Sequence, residues 1–340
     1  MDPVDVLTSA PAKIILFGEH SVTYGKVAVT TAADLRATCH IRLRPQPWVS
    51  LSGGGHSQKV SLDKLAAFRQ RINDLRAADS HTEIRRLTQD DFFAPARYIL
   101  GTALASSEPV GLDISFESDI PIGSGLGSGG AVFAALAWGL TKLLYGEPSR
   151  RQAADWAYLG DVIAHGGIAS GTDTSTSVYG GFIRFSTEEG AVPVETSVQP
   201  VIVIGDTLRR AVTSEVNGRV RRWLDEDAVR YHYFDEMDTV ARLGMKALAD
   251  GDLPALGHLM NINQVLLEKI GVSCPEIDTL CNAALRAGAL GAKLSGSGGG
   301  GIVIALATAD IQTAVAEAIE AAGGQALIVR VGVPGVMQEV

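Results

Sequence analysis

The stretch PIGSGLGSGGAVFAALAWGLTKLLYG, residues 121–146, joins a loop of glycines to a long apolar segment rich in Ala and Leu. It follows VGLDISFESDI, residues 110–120, whose alternating apolar and polar residues predict a strand with one solvated face. Glycines at a helix start let main-chain N–H groups converge on an anion, which the helix dipole also favours. The unit therefore predicts a strand, a phosphate-binding loop and a buried helix, with a tightly packed glycine turn as the alternative.

Glycine is concentrated in two places along the chain. There are 38 glycines among 340 residues, above the usual share of about 7%. Five lie within residues 123–130 and five within residues 296–301. The second cluster, KLSGSGGGG at residues 293–301, has more glycines than a short hairpin turn needs. It predicts close approach of the backbone, to a ligand or to the first loop, with a flexible turn as the alternative.

The segments around the first glycine loop predict an α+β chain of two domains. Residues 5–44 are extended and β-branched, which predicts paired strands. Residues 201–330 show strands separated by helices, with one glycine-joined hairpin, which is typical of a layered α+β domain. A polar segment at residues 186–199 predicts the boundary, so the domains are expected at residues 1–190 and 191–340.

Residues 52–91 differ from the segments on either side. They open with SGGGHS and continue in charged, helix-forming sequence. This pattern predicts a surface excursion with one or two amphipathic helices. A lid over a site and plain solvated helices both agree with it.

Composition excludes several classes of protein. The net charge of −9 argues against a nucleic-acid-binding surface. Apolar runs such as residues 131–140 are shorter than the ~20 residues of a membrane span, and the N-terminus has no secretory pattern. Three cysteines without disulfide or zinc spacing fit a reducing compartment. We therefore expect a cytoplasmic enzyme or binding protein with no membrane or nucleic-acid partner.

Two further segments carry polar residues that could do chemistry. The first, PAKIILFGEHSVTYG at residues 11–25, places Lys13, Glu19 and His20 around a short strand. Polar groups at a strand end often face a pocket. Taken alone, such residues are more often ordinary surface or strand-end groups.

The second segment is LGDVIAHGGIASGTDTSTSVYGG, residues 159–181. Asp161 and His165 are four residues apart on a predicted helix and share one face. Asp173 is expected in a small, hydroxyl-rich loop just before a strand. A carboxylate near a phosphate loop can act as a general base or hold Mg²⁺, whereas an Asp that only caps a turn is the alternative.

The order of these four segments resembles that of the GHMP kinase superfamily. The segment around GEHSVTYG is most similar to the mevalonate kinases, in which a lysine precedes a comparable string. The resemblance implies an N-terminal domain like domain 2 of ribosomal protein S5 and a ferredoxin-like C-terminal domain, with ATP and Mg²⁺ between them. It also implies transfer of the ATP γ-phosphoryl group to the 5-hydroxyl of mevalonate, in isoprenoid precursor synthesis, by a homodimer.

The resemblance also implies roles for single residues. Asp173 would take the hydroxyl proton, and Lys13 beside it would lower its pKa and stabilise charge on the transferring group. Substrate contacts are expected from Glu19, His20 and Thr207, and either Arg209 or Arg210 would meet a carboxylate or polyphosphate. The residues expected to bind ATP lie in the two glycine loops: Pro121, Gly123, Ser124, Gly125, Leu126, Gly127, Ser128, Gly129, Gly130, Gly296 and Gly298.

Two positions depart from the mevalonate kinase pattern. Those enzymes usually carry GLGSSA, whose second serine helps to hold the metal, whereas this chain has Gly129 there. The acid that usually partners that serine is a glutamate, and here it is Asp161. We expect Asp161 to hold Mg²⁺ with Ser128 or a metal-bound water. The changes leave two alternatives: a related enzyme that acts on phosphomevalonate, as a kinase or an ATP-dependent decarboxylase, and a catalytically silent nucleotide-binding relative.

Overall fold

Runs of strands and runs of helices alternate along the chain, as expected for an α+β protein. A computed structural model describes residues 5–121 and 123–339, so what the sequence predicts for residues 1–4, 122 and 340 lies outside it. The strands are β1 (Asp5–Phe17), β2 (Ala28–Arg44), β3 (Trp48–Gly53), β4 (His56–Ser61), β5 (Gly111–Ser118), β6 (Phe182–Ser186), β7 (Gly190–Val194), β8 (Val201–Asp206), β9 (Gly291–Ser295), β10 (Ile302–Ala307), β11 (Gln325–Arg330) and β12 (Met337–Gln338). The helices are α1 (Leu62–Ala77), α2 (His81–Thr88), α3 (Ala94–Ala103), α4 (Ser128–Tyr145), α5 (Arg150–Ala164), α6 (Thr172–Tyr179), α7 (Thr213–Glu226), α8 (His232–Asp250), α9 (Leu253–Lys269), α10 (Pro275–Arg286) and α11 (Gln312–Ala321).

The first sheet has eight strands and carries the N-terminal half of the chain. Its main path is β12-β1-β2-β5-β3-β4, while β6 pairs with β2 and with β7. The pairing of β3 with β5 is parallel, and β1 pairs antiparallel with β2 along most of its length. Since β2 is long, its first part pairs with β6 and its second part with β5.

Helix α4 packs against this sheet, as its apolar composition predicts. Its buried residues run through nearly every position from Gly130 to Thr141. Helix and sheet approach closely at Gly139, where an added Cβ would come within 2.7 Å of Ile41 Cδ1. Thr8 Oγ1 on β1 donates to the Ala135 carbonyl at 2.8 Å. This packing holds the start of α4, and the glycine loop before it, at one edge of β1.

The second sheet is antiparallel, with strand order β11-β8-β10-β9. Helices separate β8 from β9 and β10 from β11, which gives the β-α-β-β-α-β order of a ferredoxin-like domain. Strands β9 and β10 pair with Ser295 opposite Ile302, so the second glycine cluster is the connection between them. The predicted α+β class is confirmed.

Residues 52–91 contain more structure than the sequence predicts. The segment SGGGHS forms the turn of a hairpin between β3 and β4, which the sequence pattern does not predict. Helices α1 and α2 follow as predicted, and α1 is not a plain solvated helix because Leu65 and Ile72 on its inner face are buried. The hairpin was not predicted because β4 is mostly polar and pairs only with β3, while β3 in turn pairs with the distant β5.

The last residues of the chain return to the first sheet. Strand β12 pairs with β1, with Thr8 opposite Gln338. The Arg36 guanidinium donates to the carbonyls of Pro334 and Gly335, at 3.1 and 2.8 Å. The division of the chain at residue 190 stays a prediction. No helix in the part of the chain that the structure describes is long and apolar enough to cross a membrane.

Candidate active site

The first glycine loop ends at the N-terminus of α4. Gly127 is the N-cap residue and has the left-handed φ of 72°, so no side chain caps the helix. The first turn of a helix has N–H groups without partners inside the helix, and its dipole attracts negative charge. The Lys13 N–H donates to the Leu126 carbonyl at 2.9 Å, which ties the loop to β1. The helix start is therefore open to an anion.

The second glycine loop lies against the first, as the sequence predicts. A Cβ on Gly125 would lie 3.6 Å from the Ser295 carbonyl oxygen, and one on Gly301 would lie 3.5 Å from the Ser124 carbonyl oxygen. The Thr207 hydroxyl donates to the Gly301 carbonyl at 2.7 Å. Thr207 thus supports the second loop from the end of β8.

Not every residue of the predicted ATP-binding set faces the cleft between the loops. The Ser124 side chain is buried, and its hydroxyl donates to the Pro121 carbonyl at 2.7 Å. Gly298 is also buried, and a Cβ there would meet the Val272 carbonyl oxygen at 2.1 Å. Gly296 has open space where its side chain would be. Gly298 is required by packing, whereas Gly296 leaves room for a ligand.

Asp173 and Lys13 form an ion pair beside the first loop. Lys13 Nζ lies 2.9 Å from Asp173 Oδ1, and the two side chains are 4% and 26% exposed. Burial would raise the pKa of the Asp173 carboxyl, but the Lys13 ammonium outweighs it and holds that pKa below its usual value. The carboxylate is therefore ionised at neutral pH and partly open to the cleft.

The local structure around Asp173 differs from the prediction. Asp173 does not lie in a loop but in the first turn of α6. The hydroxyl-rich sequence favours a loop because such side chains compete with the backbone for hydrogen bonds. In this structure the hydroxyl groups have acceptors that are compatible with a helix. Thr176 donates to the Thr172 carbonyl at 2.7 Å, and Ser177 donates to the Pro11 carbonyl at 2.8 Å. Packing of α6 against α4 and β1 thus outweighs the intrinsic preference.

Asp161 and His165 lie on one face of α5, as predicted. Asp161 Oδ1 and His165 Nδ1 are 3.0 Å apart. The hydrogen bond to Asp161 raises the pKa of His165 to about 9, so its imidazole is protonated at neutral pH. Burial raises the pKa of Asp161, and the nearby Asp173 charge acts in the same direction against the attraction of His165. Asp161 and Asp173 are therefore close enough to interact.

Glu19 and His20, both predicted to bind substrate, contact the second sheet and the loop that follows β9. Lys293 Nζ donates to Glu19 Oε1, and both side chains are 0% exposed. His20 Nε2 lies 2.9 Å from the Ser297 carbonyl oxygen, and this contact requires the nitrogen to donate. His20 also has a φ of 60°, which is uncommon for a residue with a side chain. The segment after β1 is thus held against the second glycine loop.

The partial burial of His20 predicts a loss of stability in acid. Burial lowers the pKa of His20 against the opposing effect of the Ser297 carbonyl, so the folded protein binds this proton less readily than the unfolded chain. Stability present above about pH 6.5 is then lost as the pH falls, by up to about 1.4 kcal/mol per pH unit. We expect His20→Gln, which keeps a donor, to reduce this dependence in urea unfolding.

The exposed His258 offers a control for that measurement. We expect His258→Gln to keep the acid dependence of the unfolding free energy that the wild type shows. An equal acid dependence in His20→Gln and in the wild type would contradict a partly buried His20 that is neutral in the folded protein.

Arg209 and Arg210 follow the end of β8 and lie next to the two glycine loops. Arg210 pairs with Asp206, with Nη1 to Oδ1 at 2.6 Å, and its Cδ lies 3.6 Å from where a Cβ of Gly123 would be. Arg209 pairs with Glu276, with Nη1 to Oε2 at 2.9 Å. The sequence did not decide which of the two arginines meets an anion. In the structure, Arg210 is the one that lies at the first glycine loop.

Lys293 is a residue of this region that the sequence reasoning missed. It lies in the middle of β9, whose five residues are all buried. Lysine is almost never fully buried unless it is paired. A lone lysine within an apolar strand was thus an available signal, but its partner, Glu19, is 274 residues away in the sequence.

The residues around the cleft fit ATP and Mg²⁺. The uncapped start of α4 suits a polyphosphate, and Asp173 and Ser128 carry the hard oxygen donors that Mg²⁺ prefers, whereas Asp161 is buried and paired with His165. Across residues 5–121 and 123–339, no three His, Cys, Asp or Glu side chains are grouped as a metal site. A site with fewer than three protein ligands is normal for Mg²⁺. This ion is bound by one or two carboxylates, and phosphate oxygens and water complete its coordination shell.

The comparisons with known proteins agree with this geometry. Residues 96–181 match the GHMP kinases N terminal domain, and residues 245–325 match the GHMP kinases C terminal. The chain is 34% identical to a mevalonate kinase of Pyrococcus horikoshii, over 98% of each chain. The chain belongs to the GHMP kinase family. Like other members, it is an ATP-dependent kinase that uses Mg²⁺ and acts on an alcohol.

Further relatives of this chain are also mevalonate kinases. The enzyme of Methanothermobacter thermautotrophicus is 31% identical over 87% of this chain and 88% of its own. The fold matches that of the Methanococcus jannaschii mevalonate kinase, with a TM-score of 0.79, 23% identity and coverage of 96% and 98%. It also matches the L. major mevalonate kinase in complex with R-mevalonate, with a TM-score of 0.76, 24% identity and coverage of 98% and 97%. The predicted two-domain GHMP kinase fold is confirmed.

Proposed function

We propose that this chain is a mevalonate kinase, which transfers the γ-phosphoryl group of ATP to the 5-hydroxyl of mevalonate in isoprenoid precursor synthesis. The observation that carries the proposal is the Lys13–Asp173 pair at the open start of α4, next to the second glycine loop. The full-length similarity to mevalonate kinases supports the choice of acceptor. The intact GEHSVTYG segment, residues 18–25, favours mevalonate over the related phosphorylated acceptor.

In this mechanism Asp173 accepts the proton of the acceptor hydroxyl. Its Oδ2 lies 3.6 Å from where a Cβ of Gly127 would be, so the carboxylate is adjacent to the phosphate loop. Because the pKa of Asp173 is low, the proton moves mainly as the bond to phosphorus forms and the hydroxyl becomes acidic. Lys13 holds this carboxylate in place and offsets negative charge on the transferring group.

The two glycine loops position the nucleotide for in-line transfer. The N–H groups at the start of α4 would hold the phosphate chain. Arg210 is close enough to the first loop to interact with the negative charge of these phosphates. Phosphoryl transfer needs positioning and charge neutralisation more than covalent chemistry from the protein. Asp161, with Ser128, would hold Mg²⁺, which neutralises charge on the β- and γ-phosphates when it is bound.

A coupled assay of ADP release tests the proposal directly. The acceptors to compare are mevalonate, phosphomevalonate, diphosphomevalonate, galactose and homoserine, since a galactokinase and a homoserine kinase share the fold. We expect turnover with mevalonate to exceed that with every other acceptor. Preference for a phosphorylated acceptor would contradict the choice of mevalonate, and silence on all of them would support a nucleotide-binding relative without turnover.

Gly129 offers a test of the metal assignment. It is exposed in the first turn of α4, and a Cβ there would only touch the Phe133 ring, at 3.5 Å. We expect Gly129→Ser to lower the Mg²⁺ concentration needed for half-maximal activity, because it adds a hydroxyl beside the proposed metal position. Gly129→Ala, which adds the same bulk without the oxygen, is the control. A large loss of activity in both variants would mean that the nucleotide needs a glycine there.

We infer a cytoplasmic location and a homodimer for this enzyme. The absence of disulfide spacing among the three cysteines and the substrate's water-soluble chemistry support the location. Family resemblance supports the dimer. Light scattering on the purified enzyme tests the assembly, and a monomer at micromolar concentration would contradict it.

A further inference from the structure

The end of β1 is joined to β9 by polar contacts that cross from the first sheet to the second. The Ile15 N–H donates to Ser295 Oγ, which in turn donates to the Ile15 carbonyl, both at 3.0 Å. Beyond them, Lys293 Nζ donates to Glu19 Oε1 and also to its neighbour's carbonyl on β9, at 2.6 Å. These contacts link the strand that carries Lys13 to the strand that leads into the second glycine loop.

The Glu19–Lys293 pair is unusual among the ion pairs of the described residues because both side chains are 0% exposed. Burial raises the pKa of Glu19 and lowers that of Lys293, while their mutual attraction opposes both shifts. A buried ion pair adds little net stability over apolar residues of similar size, although breaking it by removing one partner is costly. Stability alone is therefore a weak reason for this pair.

Glu19 also follows the strand that carries Lys13, which pairs with Asp173. The Lys13 ammonium is close enough to Glu19 to lower its pKa, in opposition to burial. Glu19 Oε2 is buried and has no hydrogen-bond partner in residues 5–121 and 123–339. Two ion pairs, Lys293–Glu19 and Lys13–Asp173, thus involve residues of β1 and of the segment that follows it. Lys293 belongs to the second sheet, and the other three residues belong to the N-terminal part of the chain.

We propose that Lys293 is a positioning residue for phosphoryl transfer, which acts through Glu19 by holding the end of β1 against the second glycine loop. The distance between the Lys13–Asp173 pair and the second glycine loop then depends on this buried ion pair together with the Ile15–Ser295 hydrogen bonds. Glu19 serves the same purpose and does not contact the acceptor, contrary to the role that the resemblance implies. A displacement of about 1 Å in such a site costs roughly 10²-fold in rate.

This inference rests on the proposed function, because it concerns phosphoryl transfer. The first test of the inference therefore does not measure turnover. Hydrogen exchange followed by mass spectrometry reports on the amides of residues 15–20 and 296–301. We expect Lys293→Met to speed exchange in both segments. The control is Lys26→Met, which breaks an ion pair with Asp235 that also joins the two parts of the chain but is exposed. Exchange in Lys293→Met that equals the wild type would overturn the inference.

Kinetics on the acceptor that the wild type turns over give the second test. We expect Lys293→Met to reduce kcat by about 10²-fold with little change in the KM for the acceptor, because the acceptor itself is not contacted. Lys26→Met is expected to keep the wild-type kcat. A rise in KM with unchanged kcat would mean that Lys293 or Glu19 binds the acceptor, and it would overturn the positioning role.

The double variant Glu19→Gln/Lys293→Met separates positioning from stability. It buries no unpaired charge, so it is expected to unfold at a higher temperature than Lys293→Met. It lacks the ion pair, so its kcat is expected to stay low. Recovery of both stability and kcat would show that the pair serves the fold alone. If Lys293→Met does not fold, hydrogen exchange and kcat are both measured on the double variant. A wild type that does not turn over mevalonate contradicts the proposed function and leaves the exchange test in force.

Discussion

Replacement of Asp173 by Asn is expected to reduce acceptor-dependent ADP release by about 10² to 10⁴-fold, the usual contribution of a general base. Asn has the size of Asp and keeps an oxygen that can accept from Lys13, so the ion pair is exchanged for a hydrogen bond without a cavity. The affinity for ATP, measured with a fluorescent analogue, is expected to remain close to the wild-type value. The side chain acts on the acceptor hydroxyl, whereas main-chain groups of the loops hold the nucleotide.

Asp155 provides the matched control for this substitution. It lies on α5, and its exposed carboxylate pairs with Arg151. We expect Asp155→Asn to leave turnover and ATP affinity unchanged, because exposed pairs on a helix contribute little. Turnover by Asp173→Asn at the wild-type rate would remove Asp173 from the role of base.

Gly130→Ala is expected to have the second large effect. A Cβ at this position would lie 2.9 Å from Asp173 Cβ and 3.1 Å from the Asp173 carbonyl carbon. Neither atom is the far end of a flexible side chain, so α6 and its carboxylate must shift. We expect kcat to fall by about 10²-fold, since a shift of about 1 Å in a catalytic group has this consequence. The cost of crowding, typically about 1–3 kcal/mol, offsets the gain of about 1 kcal/mol for Ala over Gly in a helix.

Gly218→Ala separates the crowding at Gly130 from the general effect of a helix alanine. Gly218 lies within α7, and a Cβ there would meet only the end of the Arg222 side chain, at 3.6 Å. We expect this variant to gain up to about 1 kcal/mol in the free energy of unfolding and to keep the wild-type kcat. If Gly130→Ala also keeps its kcat, the contact between α4 and α6 does not place the base.

Much of the site was accessible from the sequence because its loops carry local signals. Clusters of glycine identified both loops, and the spacing of Asp161 and His165 placed them on one helix face. The pairing of Lys13 with Asp173 came from the family resemblance, since 160 positions separate them and no local pattern relates them. The helical setting of Asp173 was missed because local preference argues for a loop, and only packing against α4 and β1 overrules it.

Glu19 illustrates the limit of residue types as a guide to role. The resemblance implies a substrate contact for this strand-end carboxylate, and the structure pairs it with Lys293 from the second sheet. Burial and pairing depend on which segments fold together, and residue type alone does not report them.

By itself, the sequence determined the class of fold, the phosphate-binding character of its first loop and the family to which the chain belongs. These properties are local, because they depend on periodicity, on glycine at a helix start and on short motifs. The tertiary structure alone decided which polar residues face the cleft and which are buried and paired inside the protein. It brings β1 beside α6 and the end of β1 beside β9, so Asp173 is paired but still partly open, whereas Glu19 is paired and closed off. The physical reason is that contact between distant segments determines desolvation and charge pairing, which in turn determine the chemistry of a carboxylate.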